Sequence, residues 1–417
     1  MTSGIIITLC ILLLLAYFFD LSASKTRIPS VILLLLLGWL LRQATNFFGI
    51  DLPDFSGVLP ILGTVGLILI VLEGSLELEL SRSKTGLIAK SFLGALFPLL
   101  IISFLLAFVF QYFSGYSYKD SLANAIPFSV ISSAIAIPTV RHLNKTCREF
   151  VIYESSLSDI IGVIFFNFVT LNSSFGFRTF ANFGFNFILE IVISFGASIA
   201  LAILLRKIEH HIKFMPIISL VILIYTVSKV YHLPSLVFIL LFGLFLGNLD
   251  RFSKFKSMQR LKPELLKIET KKFKELTGEA AFLVRAMFFL LFGYLLKTSE
   301  ILNPSTIFWA VGIVILIYVV RYLQLKASRM PVRTLLFVAP RGLITILLFL
   351  SIDPDMQIPF VNNSLIIQVI LLSAIIMMFG MMTKPPRIVV AIEDAIRKDN
   401  GEASGEEKKK EDNQSTE

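Results

Sequence analysis

Three ionisable residues lie inside long apolar stretches of the sequence, where a charged side chain is expensive and usually functional. Asp159 is ten residues into a stretch that begins near Glu149, and Arg341 is ten residues into a stretch that begins near Pro331. If both stretches are helices, each residue reaches a depth of about 15 Å, half of a hydrocarbon core of about 30 Å. Glu154 lies five residues before Asp159. The three charges therefore predict a site near the middle of a membrane.

These residue types suit the binding of a proton or a small cation. Arg341 stays charged at any relevant pH, so it needs a fixed anion, and one carboxylate can provide it. Glu154 and Asp159 differ in direction by about 140° around one helix, so they do not easily face the same partner. The remaining carboxylate is free to bind a ligand. Ser155, on the same helix face as Asp159, adds an oxygen of the kind that hard cations prefer. Two arrangements stay open: Arg341 pairs with Glu154, or it pairs with Asp159 itself.

The composition places these residues in a polytopic membrane protein. Of the 417 residues, 56% are hydrophobic and 16% are charged, and the mean hydropathy is +0.81. A soluble domain has about 45–50% apolar and about 25% charged residues. The predicted fold class is therefore an all-α polytopic membrane protein, with the lipid bilayer as its first partner.

Other function classes find no support in the sequence. The formal net charge is +9, but Lys and Arg occupy short loops between apolar stretches, so no nucleic-acid partner is expected. The cysteines and histidines do not have metal-ligand spacing, and no nucleophile–base constellation is visible. We therefore expect no enzyme activity, no catalytic residues and no cofactor. The cysteines and histidines are Cys10, Cys147, His142, His210, His211 and His232.

Thirteen apolar segments are predicted to be membrane-spanning helices. The ninth is the shortest, and the spans form one transmembrane domain at residues 1–385. In chain order the spans are 4–23, 28–44, 58–76, 86–112, 120–141, 149–172, 184–205, 214–231, 234–248, 278–297, 303–326, 331–352 and 364–384.

The loops between the spans alternate in charge, which predicts their orientation. Six loops after odd-numbered spans are rich in Lys and Arg, whereas those after even-numbered spans are poor in them and include Asp51 and Asp353. Basic loops stay on the cytoplasmic side. We therefore predict a multi-pass protein of the plasma or inner membrane, with the N-terminus outside and the C-terminus in the cytoplasm. A cleaved signal peptide at 1–24 is the alternative, but this segment carries no basic residue.

Two cytoplasmic segments are predicted beside the spans. Residues 386–417 are charged and poor in apolar residues, so we expect a disordered tail. Residues 250–276 are rich in basic residues and form either an amphipathic helix on the inner leaflet or a solvated linker helix.

The spans contain an internal repeat. PSVILLLLLGWLL of the second span and PSLVFILLFGLFL of the ninth agree at six of thirteen positions, and the third and tenth spans share the pattern Leu-x-Gly-x-Leu. Segments seven spans apart run in opposite directions, so the repeat has inverted topology, as in many secondary transporters. Repeat one covers about 4–172, a linker helix covers 184–205, and repeat two covers about 214–384. Chance similarity between Leu-rich helices is the alternative.

The repeat makes the fifth and twelfth spans partners, and both contain residues that interrupt helices. Paired interrupted helices near the midplane are the best indication of a transport site in a sequence. Elsewhere in the spans, Glu73 and Arg285 are expected to be structural, with an accessory part in the site as the alternative. Glu190 and Lys229 are expected at the membrane interface. The predicted residues of the discontinuous core are Ser132, Ser133, Pro138, Pro340 and Gly342.

Four segments together resemble the monovalent cation/proton antiporter superfamily, of the sodium/proton exchanger type. Residues 154–159, ESSLSD, resemble the family motif E-S-x-x-N-D, and residues 339–343, APRGL, resemble its segment G-P-R-G-A/L. Residues 73–78, EGSLEL, are similar to its GLEL segment. The pair 28–29, Ile-Pro, followed by Gly38 looks like the pattern of its second helix.

The resemblance implies a role for each matching residue. Asp159 would bind the proton and the monovalent cation in turn, with Ser155 as a ligand. Ser158 takes the place of the family's Asn and joins this binding set. Glu154 and Arg341 would form a structural ion pair. The family also implies two crossed discontinuous helices, a homodimer, an elevator-like movement and a part in pH homeostasis.

We therefore predict a secondary active antiporter that exchanges a monovalent cation for H⁺. Na⁺ is the expected cation because of the family resemblance. Residues 134–136, Ala-Ile-Ala, replace the family's T-D-P, and Ser132 and Ser133 resemble the potassium-efflux branch, so K⁺ and Li⁺ stay open as alternatives. With Glu154 paired, one carboxylate remains to hold either H⁺ or the cation, which predicts electroneutral exchange. The alternative is an organic-anion/proton transporter with Arg341 as its anion site, and a channel would need a continuous pore.

Overall fold

The structure is a computed structural model, and the residues that it describes are helical or form connections between helices. The predicted tail at 386–417, the first half of the basic loop and all four histidines lie outside them. The second half of that loop begins a long helix at Pro263. The described residues are 2–26, 28–49, 57–78, 80, 84–140, 143–172, 176–207, 214–231, 235–249 and 263–382.

The helices follow one another along the chain with short connections. One 3₁₀ turn, Pro354–Met356, precedes the last of them. In chain order the α-helices are α1 (Thr2–Thr26), α2 (Ser30–Phe47), α3 (Val58–Glu77), α4 (Thr85–Ser114), α5 (Tyr118–Ser129), α6 (Ser133–Thr139), α7 (Lys145–Leu171), α8 (Phe177–Lys207), α9 (Phe214–Val230), α10 (Leu236–Gly247), α11 (Pro263–Leu295), α12 (Thr298–Ile301), α13 (Pro304–Ala327), α14 (Val332–Leu335), α15 (Leu343–Leu350) and α16 (Asn363–Met382).

Many of these helices are long and apolar enough to cross a bilayer. Within the described residues, length and composition identify eight such segments, and α9 and α10 are shorter apolar helices. The protein is thus an all-α polytopic membrane protein, while the count of thirteen spans stays a prediction. The eight segments are Ser30–Phe47, Val58–Glu77, Thr85–Ser114, Tyr118–Thr139, Ala181–Leu205, Ile268–Leu295, Pro304–Ala327 and Asn363–Met382.

The helices pack into two groups. The scaffold group consists of α1, α2, α3, α8, α9, α10 and α11, in which α2 and α3 pack on α11 and α10 packs on α3 and α8. The crossing group consists of α4, α5, α6, α7, α13, α14, α15 and α16, in which α4 packs on α5 and α7 and α13 packs on α4 and α16. Helix α3 also contacts α6, α7 and α15, so it lies at the boundary between the groups.

Glycines allow the closest approaches in the scaffold group. A Cβ on Gly38 of α2 would overlap the backbone of α11, and a Cβ on Gly293 of α11 would overlap the backbone of α2. A Cβ on Gly243 of α10 would overlap Ser75 of α3. Small residues at helix interfaces are the usual device for close packing in membranes. The second span thus packs on the tenth and the ninth on the third, while the inverted repeat itself stays a prediction.

Candidate functional site

Two interrupted helices cross inside the crossing group. Helix α5 ends at Ser129 and α6 begins at Ser133, while α14 ends at Leu335 and α15 begins at Leu343. The two interruptions are joined directly, because the Ser132 N–H donates a hydrogen bond of 2.9 Å to the Pro340 carbonyl. The predicted partnership of these two segments is therefore present in the structure as a contact between their non-helical residues.

The first interruption separates α5 from α6. It covers residues 130–132, and Pro127 lies near the end of α5, just before it. Pro138 was predicted to belong to the discontinuous core, but it lies inside α6 near the end of that helix. It borders a small gap next to Pro29 at the start of α2. Pro138 thus lies in the second half of the interrupted helix, and Pro127 is the proline beside the break.

Gly342 allows the crossing helices to approach. A Cβ at this position would lie 2.9 Å from Ser132 Oγ and 2.7 Å from Ile135 Cδ1. A side chain there would push α6 away from the start of α15. Gly342 thus lies where the two interrupted helices meet, because its Cα faces α6 directly.

Asp159 faces the beginning of α6. Its side chain, on α7, is 1% exposed. Oδ2 accepts a hydrogen bond of 3.3 Å from the Ser133 N–H and a second one from the Ser133 hydroxyl. Oδ1 has no hydrogen-bond partner. Oδ2 therefore binds the N-terminus of α6, and Oδ1 is available to a ligand.

Further oxygens near this carboxylate lack partners. The hydroxyls of Ser132 and Ser155 are buried without a hydrogen bond. Buried polar groups are normally satisfied, so these two hydroxyls are available as partners for a ligand of Asp159. The Ser158 hydroxyl accepts the Ile131 N–H at 3.0 Å and thereby holds the interruption open. Its predicted part in ligand binding stays a prediction.

Glu154 has a different partner from the one predicted. Arg321 Nη1 of α13 donates to Glu154 Oε1 at 2.5 Å, and Gln324 Nε2 donates to the same oxygen at 3.2 Å. Glu154 and Arg321 are 1% and 2% exposed. Gly94 of α4 leaves room for the pair, because a Cβ there would lie 2.8 Å from Glu154 Oε1. The predicted ion pair between Glu154 and Arg341 is therefore wrong.

The sequence contained a signal for this partner. Glu154 is five residues from the start of its predicted span at 149–172, and Arg321 is five residues from the end of its span at 303–326. Both ends were predicted to be cytoplasmic, so both residues lie about 7.5 Å from the same surface. The comparison of depths that matched Asp159 with Arg341 would also have matched Glu154 with Arg321.

Arg341 is bound by backbone carbonyls rather than by a carboxylate. Its Nε donates to the Phe128 carbonyl at 2.6 Å, and its Nη1 donates to the Ala339 carbonyl at 3.2 Å. Phe128 belongs to the last turn of α5, where carbonyls have no partner within the helix. None of the ion pairs found among the described residues includes Arg341. The alternative pairing of Arg341 with Asp159 is therefore not found either.

Of the two predicted accessory residues, Glu73 lies near the C-terminal end of α3 and Arg285 lies in α11. Glu73 is half-buried and borders a cavity of about 460 Å³ that α7 also lines through Tyr153. A Lys274–Glu77 ion pair of 3.5 Å lies at its edge. Arg285 is buried, 6% exposed, and does not border this cavity. Glu73 is thus the accessory residue with access to an open space.

Comparison with known proteins agrees with this geometry. A family model described as "Sodium/hydrogen exchanger, transmembrane" matches residues 10–388. The solved structure of the sodium proton antiporter MjNhaP1 from Methanocaldococcus jannaschii at pH 8 is similar, with a TM-score of 0.65 and 18% identity over 92% of this chain and 99% of that one. An electron-microscopy structure of the same antiporter gives a TM-score of 0.62 and 17% identity, over 91% and 94% of the two chains. No significant match to a curated protein sequence was found.

Proposed function

The chain belongs to the sodium/hydrogen exchanger family, and from this we propose that it exchanges Na⁺ for H⁺, with Asp159 binding the two ions in turn. Na⁺ is placed first because the family and the similar antiporter are both named for sodium. Li⁺ and K⁺ are the other candidates for the monovalent cation. The charges of the loops place the protein in the cell membrane with its C-terminus in the cytoplasm, and the family resemblance implies a homodimer.

One observation carries the proposal. Asp159 is a fully buried carboxylate with an open oxygen, and the unpartnered hydroxyls of Ser132 and Ser155 belong to residues next to it in the crossing. A carboxylate and hydroxyl oxygens are the ligands that a hard cation requires. The same carboxylate oxygen can instead take a proton. A single site that holds either ion, and not both, gives exchange.

The charges around the site favour electroneutral exchange. Glu154 is held by Arg321 at 2.5 Å, so its charge is compensated in every state. Arg341 is held by carbonyl groups and cannot release its proton in this range. Asp159 remains as the group whose occupancy changes. Because H⁺ and Na⁺ carry the same charge, either occupant leaves the same net charge, and a complete cycle moves none.

A route from the cytoplasmic side is part of the proposal. The cavity of about 460 Å³ beside Glu73 opens among residues at the predicted cytoplasmic ends of the helices. Its deepest residue on α7 is Tyr153, six residues or about 9 Å before Asp159. Movement of the crossing group past α3 would expose Asp159 to the two sides in turn.

The organic-anion alternative is disfavoured by the surroundings of Arg341. Two of its donor nitrogens are already engaged by the carbonyls of Phe128 and Ala339. An anion would have to displace these contacts and leave the end of α5 unsatisfied.

The function is tested in proteoliposomes by the collapse of a pH gradient on addition of Na⁺, Li⁺, K⁺ or organic anions. Asp159→Asn should abolish cation-driven proton flux while the protein remains folded. Asp355→Asn is the matched control, because it neutralises an exposed carboxylate in a turn and should leave the flux unchanged. Flux at the wild-type rate in Asp159→Asn would refute the proposal.

Electroneutrality is tested by setting the membrane potential with K⁺ and valinomycin during Na⁺-driven proton flux. One net charge moved per cycle would contribute about 2.3 kcal/mol per 100 mV. The equilibrium endpoint should not depend on voltage. A shifted endpoint would require a second titrating group.

A further inference from the structure

A third buried carboxylate lies in the scaffold group, outside the crossing. Glu190 is the fourteenth of the 31 residues of α8, and its side chain is 0% exposed. The sequence placed it near the end of a span and predicted an interfacial position. Helix α8 begins at Phe177, before the predicted span, so Glu190 lies well inside the helix and its depth in the membrane stays a prediction.

Glu190 begins a polar stripe on the inner face of α8. Ser194 and Ser198 follow it at intervals of four residues, and both are buried. On the outer face, Ile188 and Val192 are each 63% exposed, as expected for side chains in contact with lipid. The carboxyl group thus points toward the neighbouring helices rather than toward the bilayer.

The polar contacts of Glu190 are few. The Ser194 hydroxyl donates to Oε1 at 3.3 Å. The Ser228 hydroxyl of α9 interacts with the same carboxyl group. Oε2 is buried and has no hydrogen-bond partner. The site is therefore built from two helices and contains an unsatisfied acidic oxygen.

No described charge compensates Glu190. Helix α10, which packs on α8, has the sequence LVFILLFGLFLG and carries no titratable side chain. On α9, Lys229 is exposed, and the buried Tyr225 interacts with Ser235. The charged residues of α11 act on Glu190 neither as ion-pair partners nor through an electrostatic contribution. A charged carboxylate without a partner would be costly in this position, so the carboxyl group must be neutralised by a bound proton or cation.

We propose that Glu190 is a second proton-binding site of the protein, located between α8 and α9 and separate from the exchange site at Asp159. A proton fits this position better than a metal cation does. Cations such as Na⁺ collect several oxygen ligands. The hydroxyls of Ser132 and Ser155 are unpartnered, whereas the Ser194 hydroxyl already donates to Oε1 of Glu190 and the Ser198 hydroxyl donates to the Ser194 carbonyl. A protonated carboxyl group needs one acceptor, and the Ser228 hydroxyl can provide it.

This proton belongs to the scaffold and not to the exchange cycle. Glu190 contacts serines of α8 and α9, neither of which contributes to the crossing. The proton therefore neutralises the inner face of α8 in both states of the exchange site. The inference does not depend on the identity of the exchanged cation or on the stoichiometry.

The proposal is tested by infrared difference spectroscopy of the full-length protein in lipid at neutral pH. Subtracting the spectrum of Glu190→Gln from that of wild type should give the carbonyl band of a protonated carboxyl group. Glu275→Gln is the matched control, because Glu275 is an exposed carboxylate on α11 and its loss should remove a carboxylate band. A carboxylate band for Glu190 would overturn the proposal.

Two further spectra separate this site from a cation site and from a misfolded variant. In saturating Na⁺ the protonated band of Glu190 should persist, whereas its conversion to a carboxylate band would show that a cation binds there and would overturn the proposal. Ser228→Ala keeps the carboxyl group and should shift the band, since it removes the hydrogen-bond partner. An unchanged band in Ser228→Ala would contradict the position assigned to the proton.

Discussion

The interactions that stabilise the scaffold group internally differ from those that stabilise the crossing group. In the scaffold group, glycines such as Gly38 and Gly293 bring helix backbones into contact. In the crossing group, buried polar side chains satisfy backbone groups where helices are interrupted: Arg341 binds the end of α5, and Asp159 binds the start of α6. Interrupted helices are tolerated in a membrane only when their free backbone groups find such partners. The polar residues of the crossing therefore have a structural task as well as a chemical one.

At the boundary between the two groups, glycines of α3 face side chains of the crossing group. Helix α3 presents Gly63 to Leu347 of α15 and Gly74 to Ser156 of α7, while its other face packs on α10 and α11. The ion pairs Lys84–Glu149 and Lys274–Glu77 lie on the two sides of this boundary. Contacts at the glycines of α3 are compatible with the proposed movement of the crossing group.

The largest effect on stability is expected from the buried pair in the crossing group. Glu154→Ala or Arg321→Ala leaves one charge buried without compensation, which costs about 3–5 kcal/mol. Each variant should therefore have a much lower melting temperature in detergent, and the double variant should recover part of the loss.

Two comparisons make this test specific. Glu77→Ala breaks an ion pair whose members are 37% and 42% exposed, and should cost at most about 1 kcal/mol. Glu154→Ala combined with Arg341→Ala should show less recovery than the combination with Arg321→Ala. Equal recovery would mean that Arg341 compensates Glu154 as strongly as Arg321 does.

A smaller effect is expected from the glycine contacts of the scaffold group. Gly38→Ala and Gly293→Ala force two backbones apart, and overpacking of this kind costs about 1–3 kcal/mol. Gly196→Ala on α8 is the control, because nothing lies within 4 Å of its added Cβ. It should be neutral or stabilising, since Ala favours a helix over Gly by about 1 kcal/mol. Melting temperatures that fall equally in all three variants would contradict the assigned contacts.

The smallest predicted change concerns a ligand of the exchange site. Ser155→Ala removes one of several oxygens around the cation, so exchange should persist with a KM for Na⁺ raised on the order of tenfold, equal to about 1.4 kcal/mol. Thr170→Ala on the same helix removes a hydroxyl that binds its own backbone and should leave the KM unchanged. A KM in Ser155→Ala that equals the wild-type value would exclude this residue from the site.

The sequence predicted the class of fold and the central residues because both depend on depth in the membrane. Hydropathy identified the apolar stretches, and counting ten residues from the start of each directed attention to Asp159 and Arg341. Only Asp159 lies in a continuous helix, because the residues between Leu335 and Leu343 that include Arg341 are not helical. Depth does not determine which residues at a level touch each other. The partner of Glu154 was therefore wrongly assigned, although Arg321 lies at the matching depth.

The remaining differences arise from contacts between distant parts of the chain. The interruption before α6 is stabilised by Ser158, which binds the Ile131 N–H, and by the Pro340 carbonyl, which binds the Ser132 N–H. Neither contact joins residues that are close in the sequence, so the exact position of the break could not be predicted. Likewise, the apolar stretch predicted a span at 184–205, whereas α8 begins at Phe177.

The central claim is that Asp159 holds either a proton or a cation, and calorimetry of Na⁺ binding tests it most directly. Titrations of the purified protein in buffers of different ionisation enthalpy report the protons released as the cation binds. With Asp159 initially protonated, about one proton should be released per Na⁺ bound, because the cation replaces it. Apparent affinity for Na⁺ should therefore fall as the pH is lowered, and Asp159→Asn should neither bind Na⁺ nor release a proton. Na⁺ binding without proton release under these conditions, or binding that survives in Asp159→Asn, would contradict the account.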